Sequence, residues 1–184
     1  MVEFDSRFPL RSDVVQKTLL QYDPVELAQD FRRIESLIDE RGQLCVNSMR
    51  ESADPLYENV GKVKSGGEPL CEVLNEPFRG LIFERILRDL GCLQARARIM
   101  KLGGRACYSF HWDTTPRYHV PIVTNKNAFL FFDGQMPVHL PADGGVYWLD
   151  TRRAHTALNC DSTPRFHFVI VDPTTEALAK GGYR

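Results

Sequence analysis

The chain has no long apolar run. Stretches such as 128–132 fall far short of the roughly 20 residues a membrane helix needs. Val2, Glu3, Phe4 and Asp5, followed by Pro9 and Arg11, give the amino terminus no continuous apolar leader, so a soluble intracellular protein is expected. Cysteine is scarce and badly placed for bridging: residues 45, 71, 92, 107 and 160 contain no CxxC pair and leave one over if the others pair. That argues against a dense extracellular disulfide framework and for a reducing cytoplasm. Charge of one sign is also missing. Lys and Arg total 23 against 24 Asp and Glu, a formal charge of -1 with the two signs interspersed, so no electrostatic footprint for nucleic acid is present. No internal repeat or low-complexity tract favours a solenoid.

The 184 residues suit a single domain over 1–184, large enough for a sheet-based core but too small for a catalytic barrel with a separate recognition module. The chain changes period near its middle. Asp23-Pro24 is an N-cap and first-turn pair, after which Leu27, Phe31, Ile34 and Leu37 share one helical face, predicting a helix over 25–39 with a stop at Arg41-Gly42. Residues 12–20 read as a further short helix with Val15, Leu19 and Leu20 inward. From 45 to 77 the periodicity fades among Gly61, Gly66-Gly67, Pro55 and Pro69, as in an irregular wall or lid. Phe78, Leu81, Ile82, Ile86, Leu87 and Leu90 then make an amphipathic helix ending near Gly91. Residues 1–92 thus read as a mainly helical and irregular support.

Residues 95–172 read as strands. Alternation over 95–102, then Gly103-Gly104, predicts a hairpin to 106–111, and further strand-sized runs follow at 118–123, 128–132, 137–140, 146–149, 154–158 and 166–171. About eight short strands after helices predict a mainly β fold, closed or two-sheeted, with N-terminal supporting helices.

Chemistry concentrates in His111-Trp112-Asp113, in His155 42 positions beyond Asp113, and in Arg165. Two residues apart on a strand, His111 and Asp113 would face the same side, with Trp112 opposite. His155, opening another strand, would complete two imidazoles and one carboxylate on one face of an ion, leaving three positions for reactants. Arg165 precedes an apolar strand, where its planar fork suits two parallel hydrogen bonds to a carboxylate. The blander readings are a surface His/Asp pair, a surface arginine, or a set in which His139 or His167 replaces His155.

These residues, with Arg117-Tyr118-His119-Val120-Pro121-Ile122 and Pro164-Arg165-Phe166-His167, resemble the aspartyl/asparaginyl β-hydroxylase family of iron- and 2-oxoglutarate-dependent dioxygenases, over about residues 96–172. The resemblance implies a double-stranded β-helix (a jelly roll, cupin-like) and Fe(II) held by His111, Asp113 and His155. It also implies 2-oxoglutarate bound through Arg165, with His119 and Arg117 in the co-substrate pocket. Some animal members lack the metal carboxylate. Asp113 makes this chain look closer to the three-ligand bacterial hydroxylases, some of which act on free amino acids. The implied reaction takes dioxygen and 2-oxoglutarate to succinate and CO2 while hydroxylating an unactivated C–H bond of an amino-acid or peptide substrate. Arg96, Arg98 and Arg117 are candidate groups for a substrate carboxylate, the first two also readable as members of surface ion pairs. Phe110, Trp112, Tyr118 and Trp148 are candidate pocket walls or core, and Tyr108 a candidate co-substrate contact or plain strand residue. The competing readings are a non-catalytic cupin-like protein that binds a metal or small ligand and a structural barrel whose motif is accidental. Homo-oligomerisation stays open.

Overall fold

Period-two alternation, broken every few residues by Gly, Asn and Asp, builds short strands that must pair with distant partners to bury one face. A computed structural model, describing residues 14–61 and 67–173, places those partners in two principal sheets. In chain order the elements are β1 (Val15–Gln21), α1 (Pro24–Ile34), β2 (Gln43–Cys45), β3 (Asn47–Ser48), β4 (Val73–Leu74), α2 (Ile82–Asp89), β5 (Ala97–Leu102), β6 (Ala106–Cys107), β7 (Arg117–Val123), β8 (Ala128–Phe132), β9 (Gly145–Leu149), β10 (His155–Asn159) and β11 (Arg165–Val171). The major sheet runs β1-β9-β7-β11-β5-β2, the minor sheet β6-β10-β8, and β3 pairs with β4. Every pairing is antiparallel.

From β5 to β11 the chain alternates strictly between the two sheets, odd-numbered strands joining the major and even-numbered strands the minor. That winding makes a double-stranded β-helix, the mainly β jelly roll expected, with helices supporting one side. Both helices cover the outer face of the major sheet. Phe31 of α1 meets Phe166 of β11 with ring centroids 4.8 Å apart, and Phe83 of α2 meets Phe168 edge-on at 5.3 Å. Ala97, Ile99 and Ile170 join the same apolar cluster.

The α1 start is as predicted: Asp23 accepts from the Val25 amide at 2.8 Å and Pro24 occupies the first turn. The helix then tightens into a 3-10 turn at Glu35–Leu37 instead of continuing to Asp39. α2 lacks a side-chain cap of its own, and Asp30 of α1 accepts from the Ile82 amide at 2.7 Å. Gly91, at φ 67, closes α2 in the left-handed region that glycine tolerates.

Three local expectations are corrected. The helix expected over 12–20 is, from Val15 onward, strand β1 on the major-sheet edge, because pairing with β9 satisfies its backbone where a helix would have had only Val15, Leu19 and Leu20 to bury. Gly103-Gly104 does not form a hairpin, since β5 and β6 lie in different sheets. The turn carries the chain between layers, and a Cβ on Gly104 would run into the Ser162 carbonyl, so only glycine fits. The strand expected over 137–140 is reduced to a single bridge, Val138 to Leu130. The irregular stretch contributes β3, β4 and, at its start, the end of β2, which pairs with β5. All five cysteines are free. Among the described residues no helix is long and apolar enough to cross a membrane.

Candidate metal centre

The β6 strand ends at Cys107, so His111 and Asp113 do not share the continuous strand expected for them. Backbone pairing across the sheet brings them together instead. His111 and His155 exchange both backbone hydrogen bonds, at 2.9 and 2.7 Å, and the Asp113 amide donates to the Thr151 carbonyl at 2.8 Å. Thr151 in turn donates through its hydroxyl to the Thr115 carbonyl at 2.8 Å. Ligand atoms of His111, Asp113 and His155 all lie within 4.8 Å of one another, a grouping found nowhere else among the described residues.

The imidazoles are oriented for coordination. Nδ1 of His111 lies 2.7 Å from the Ser109 carbonyl oxygen, and Nδ1 of His155 lies 2.9 Å from that of Arg153. A carbonyl can only accept, so each Nδ1 is the donor and each Nε2 is the nitrogen left to meet an ion. Burial holds His155 below its ordinary pKa, which keeps it in the neutral form. Two imidazoles and one carboxylate gathered in this way suit a divalent metal of borderline softness.

Asp113 is held from behind. Arg117 Nε lies 3.4 Å from its Oδ2, while Nη2 donates to Glu68 at 2.5 Å and Nη1 to the Thr115 hydroxyl. Glu68 also meets Arg96 at 3.3 Å, and Arg96 places its other donors on the Asn59 and Gly61 carbonyls at 2.6 to 2.9 Å. Arg96, Arg98 and Arg117 are all buried, which corrects the surface-ion-pair reading of the first two. Glu68 has no signal of its own in the aperiodic stretch between Gly67 and Pro69. Its need is visible only indirectly, since arginines at strand positions 96, 98 and 117 require a carboxylate once buried.

The donor set opens into a cavity of about 630 Å³ between the sheets. On the major-sheet side β11 sets the rows. Val171 stands opposite Arg117, Val169 between His119 and Arg98, His167 beside Met100, and Arg165 beside Leu102. Leu130 and Ala157 close the minor-sheet side, and Phe110 and Trp112, both exposed, flank His111 at the rim. Tyr108 lines the cavity and donates to the Lys101 carbonyl at 3.2 Å. His119 and His167 approach Nδ1 to Nδ1 at 3.3 Å, and burial, reinforced by Arg165, holds both well below the ordinary histidine pKa. Arg165 is buried with only the His167 ring nitrogens near its Nη1, at 3.4 and 3.5 Å, and burial pushes its pKa down to about 10. It remains a cation at neutral pH with no carboxylate beside it among the described residues.

The structure therefore gathers every residue assigned to the site from sequence, His111, Asp113, His155, Arg165, His119 and Arg117, around one cavity. It separates His139, whose Nδ1 rests 2.9 Å from the Ala128 carbonyl and whose ring packs on Phe129. Neither His139 nor His167 belongs to the three-donor group. Tyr118 packs against the outer core, and Trp148 donates to Asp172 at 2.8 Å, so neither walls the cavity.

No protein-family model matches the chain, and no curated protein does. Among solved structures it is similar to IDO from Bacillus thuringiensis, at 13% identity over 87% of this chain and 90% of that one with a TM-score of 0.50. It is similar to a Pseudomonas putida prolyl-4-hydroxylase at 10% identity, over 85% of this chain and 90% of that one, again with a TM-score of 0.50. An oxidoreductase of the 2OG-Fe(II) oxygenase family from Burkholderia pseudomallei aligns at 14% identity over 84% of this chain and 92% of that one, with a TM-score of 0.47. At these identities the likeness is one of fold.

Proposed function

We propose that the chain is an Fe(II)- and 2-oxoglutarate-dependent dioxygenase that hydroxylates an unactivated C–H bond of a free amino acid or a peptidyl residue. The observation that carries this reading is the pairing of two features in one cavity: a two-histidine, one-carboxylate donor set built on the minor-sheet side and a buried arginine on β11 of the major sheet with no carboxylate beside it among the described residues. Such an arginine is expensive to keep unless a ligand carboxylate neutralises it, and a dicarboxylic co-substrate reaching from the metal would do so. The resemblance of the His-Trp-Asp and Pro-Arg-Phe-His segments to the aspartyl/asparaginyl β-hydroxylases supports the same assignment.

In this reading His111, Asp113 and His155 hold Fe(II), and Arg165 clamps the distal carboxylate of 2-oxoglutarate with its planar fork. His119 presents a neutral ring to the co-substrate from the major-sheet wall. Arg117 acts through Asp113, fixing the carboxylate's orientation while Glu68 balances the guanidinium's charge. When bound, iron and co-substrate supply dioxygen activation and C–H cleavage, so no protein nucleophile or general acid is required. His119 and His167, held neutral by burial, and the apolar Leu130, Ala157 and Val169 line the cavity beside the reacting centre.

The test is anaerobic loading with Fe(II), 2-oxoglutarate and a library of amino acids and peptides, then exposure to oxygen and mass spectrometry. A product heavier by one oxygen atom, formed with succinate and lost in His155→Ala, is the expected result. Metal binding without turnover across the library would instead favour a cupin-like metal or small-ligand binding protein.

A further inference from the structure

Four buried arginines line the cavity, and they divide into two pairs. Arg96 and Arg117 are spent on Glu68, Asp113, Thr115 and backbone carbonyls. Arg98 and Arg165 touch no carboxylate among the described residues. Arg98 gives Nη1 to the Gln43 side chain at 2.8 Å and the Gly61 carbonyl at 3.2 Å, and its Nε is buried with no acceptor among the described residues. Nε belongs, with Nη2, to the edge of a guanidinium that a carboxylate grips with two parallel hydrogen bonds.

Charge counting leads the same way. Around the cavity stand four guanidinium groups, on Arg96, Arg98, Arg117 and Arg165, against two carboxylates, Glu68 and Asp113. A divalent metal would raise that surplus, and a dianionic 2-oxo acid would cancel only part of it. The two free arginines also sit apart. Arg98 shares a row with Val169, and Arg165 lies four residues further along β11, about 13 Å of strand. Arg96, Arg117 and Glu68 are among the groups acting on Arg98, and Tyr108 lies within reach of both Arg98 and Arg165.

We infer that Arg98 is the seat for a carboxylate on the primary substrate, distinct from the co-substrate seat at Arg165. Resting on the oxygenase reading, this narrows the substrate to an acid: a free amino acid or a chain-terminal residue, held by its carboxylate through the Nε/Nη2 edge. Internal peptide residues whose only carboxyls are tied up in amides are disfavoured. Gln43, which accepts from Nη1, is the positioning residue for this guanidinium.

The experiment is calorimetric binding to the anaerobic Fe(II) protein, with 2-oxoglutarate titrated first and then free and N-acetylated amino acids, each against its primary amide. Wild type should favour at least one carboxylate over its amide by about tenfold or more. Arg98→Gln should erase that preference while leaving 2-oxoglutarate affinity within about twofold. Arg98→Lys, which keeps the charge but loses the planar edge, should fall between, and it carries the test if the Gln variant does not fold. No carboxylate preference in wild type, or one unchanged in the variants, overturns the inference. So does loss of 2-oxoglutarate binding in Arg98→Gln, which would make Arg98 a co-substrate anchor. If wild type fails to bind 2-oxoglutarate yet keeps an Arg98-dependent preference for carboxylates, the oxygenase reading falls and the seat stands.

Discussion

The two faces of β11 differ by one residue in phase and by everything in chemistry. All seven residues of Arg165–Val171 are buried, so burial alone cannot tell the faces apart. Phe166, Phe168 and Ile170 point outward into the helices, where aromatic and aliphatic packing stabilises the fold. Arg165, His167 and Val169 point inward to the cavity. The same division runs through β5, with Ala97 and Ile99 outward and Arg98 and Met100 inward. Buried charge without a protein partner is costly, so its confinement to one face marks that face as built for ligands. A one-residue slip in register would exchange the two and destroy both.

If the faces are separable, substitutions on one should change chemistry and those on the other stability. The largest expected effect is on the inner side. His155→Ala removes one of three metal donors and should lower turnover at least about a thousandfold, some 4 kcal/mol in barrier, with metal content falling in parallel. Succinate production and metal analysis measure it, and retained turnover would sink the assigned triad. On the outer side, Phe168→Ala empties a fully buried site against Phe83. It should cost about 3–5 kcal/mol of unfolding free energy in urea melts, while the fraction still folded binds metal normally. Changed metal affinity with unchanged stability would show that the faces are not independent. Next comes Arg165→Gln, whose expected cost is a 10- to 100-fold weaker grip on 2-oxoglutarate, about 1.4–2.7 kcal/mol, with little change in metal affinity.

The outer face is the more legible in the sequence, because apolar periodicity reports burial directly: the spacing of Phe166, Phe168 and Ile170, and the helical stripe of Leu27, Phe31 and Ile34, suffice to place them. The site residues are legible only as chemistry. His111, Asp113, His155 and Arg165 stand out by residue type and order, and they do meet at one place. Strand parity is not what brings them there, since Asp113 sits in a loop and is held by the Thr151 carbonyl and Arg117. Glu68 is illegible, because a single acid in an aperiodic stretch has no local signature and its role exists only once two distant arginines, Arg96 and Arg117, pair with it. β1 is hidden for a related reason. Its pairing partner, β9, lies more than a hundred residues away, and local spacing favours a helix.

The smallest expected effect separates the faces by pH. His119, His155 and His167 all face the cavity and all have pKa values held below the ordinary 6.5, in each case chiefly by burial. Each therefore binds a proton more readily in the unfolded chain than in the folded one. Stability contributed by the neutral rings is complete above about pH 6.5 and is lost as the pH falls from there toward the depressed folded values. Over that interval the slope is about 1.4 kcal/mol per pH unit for each such histidine. Urea unfolding of the metal-free protein between pH 7.5 and 5 checks it (pH values about the ordinary histidine range). His167→Asn should flatten the slope by close to one histidine's share, whereas Phe168→Ala, one residue away on the opposite face, should lower the whole curve and leave its slope unchanged. Equal slopes in wild type and His167→Asn would mean that the inner ring titrates normally, and that the cavity is wetter than its buried guanidinium and imidazole groups require.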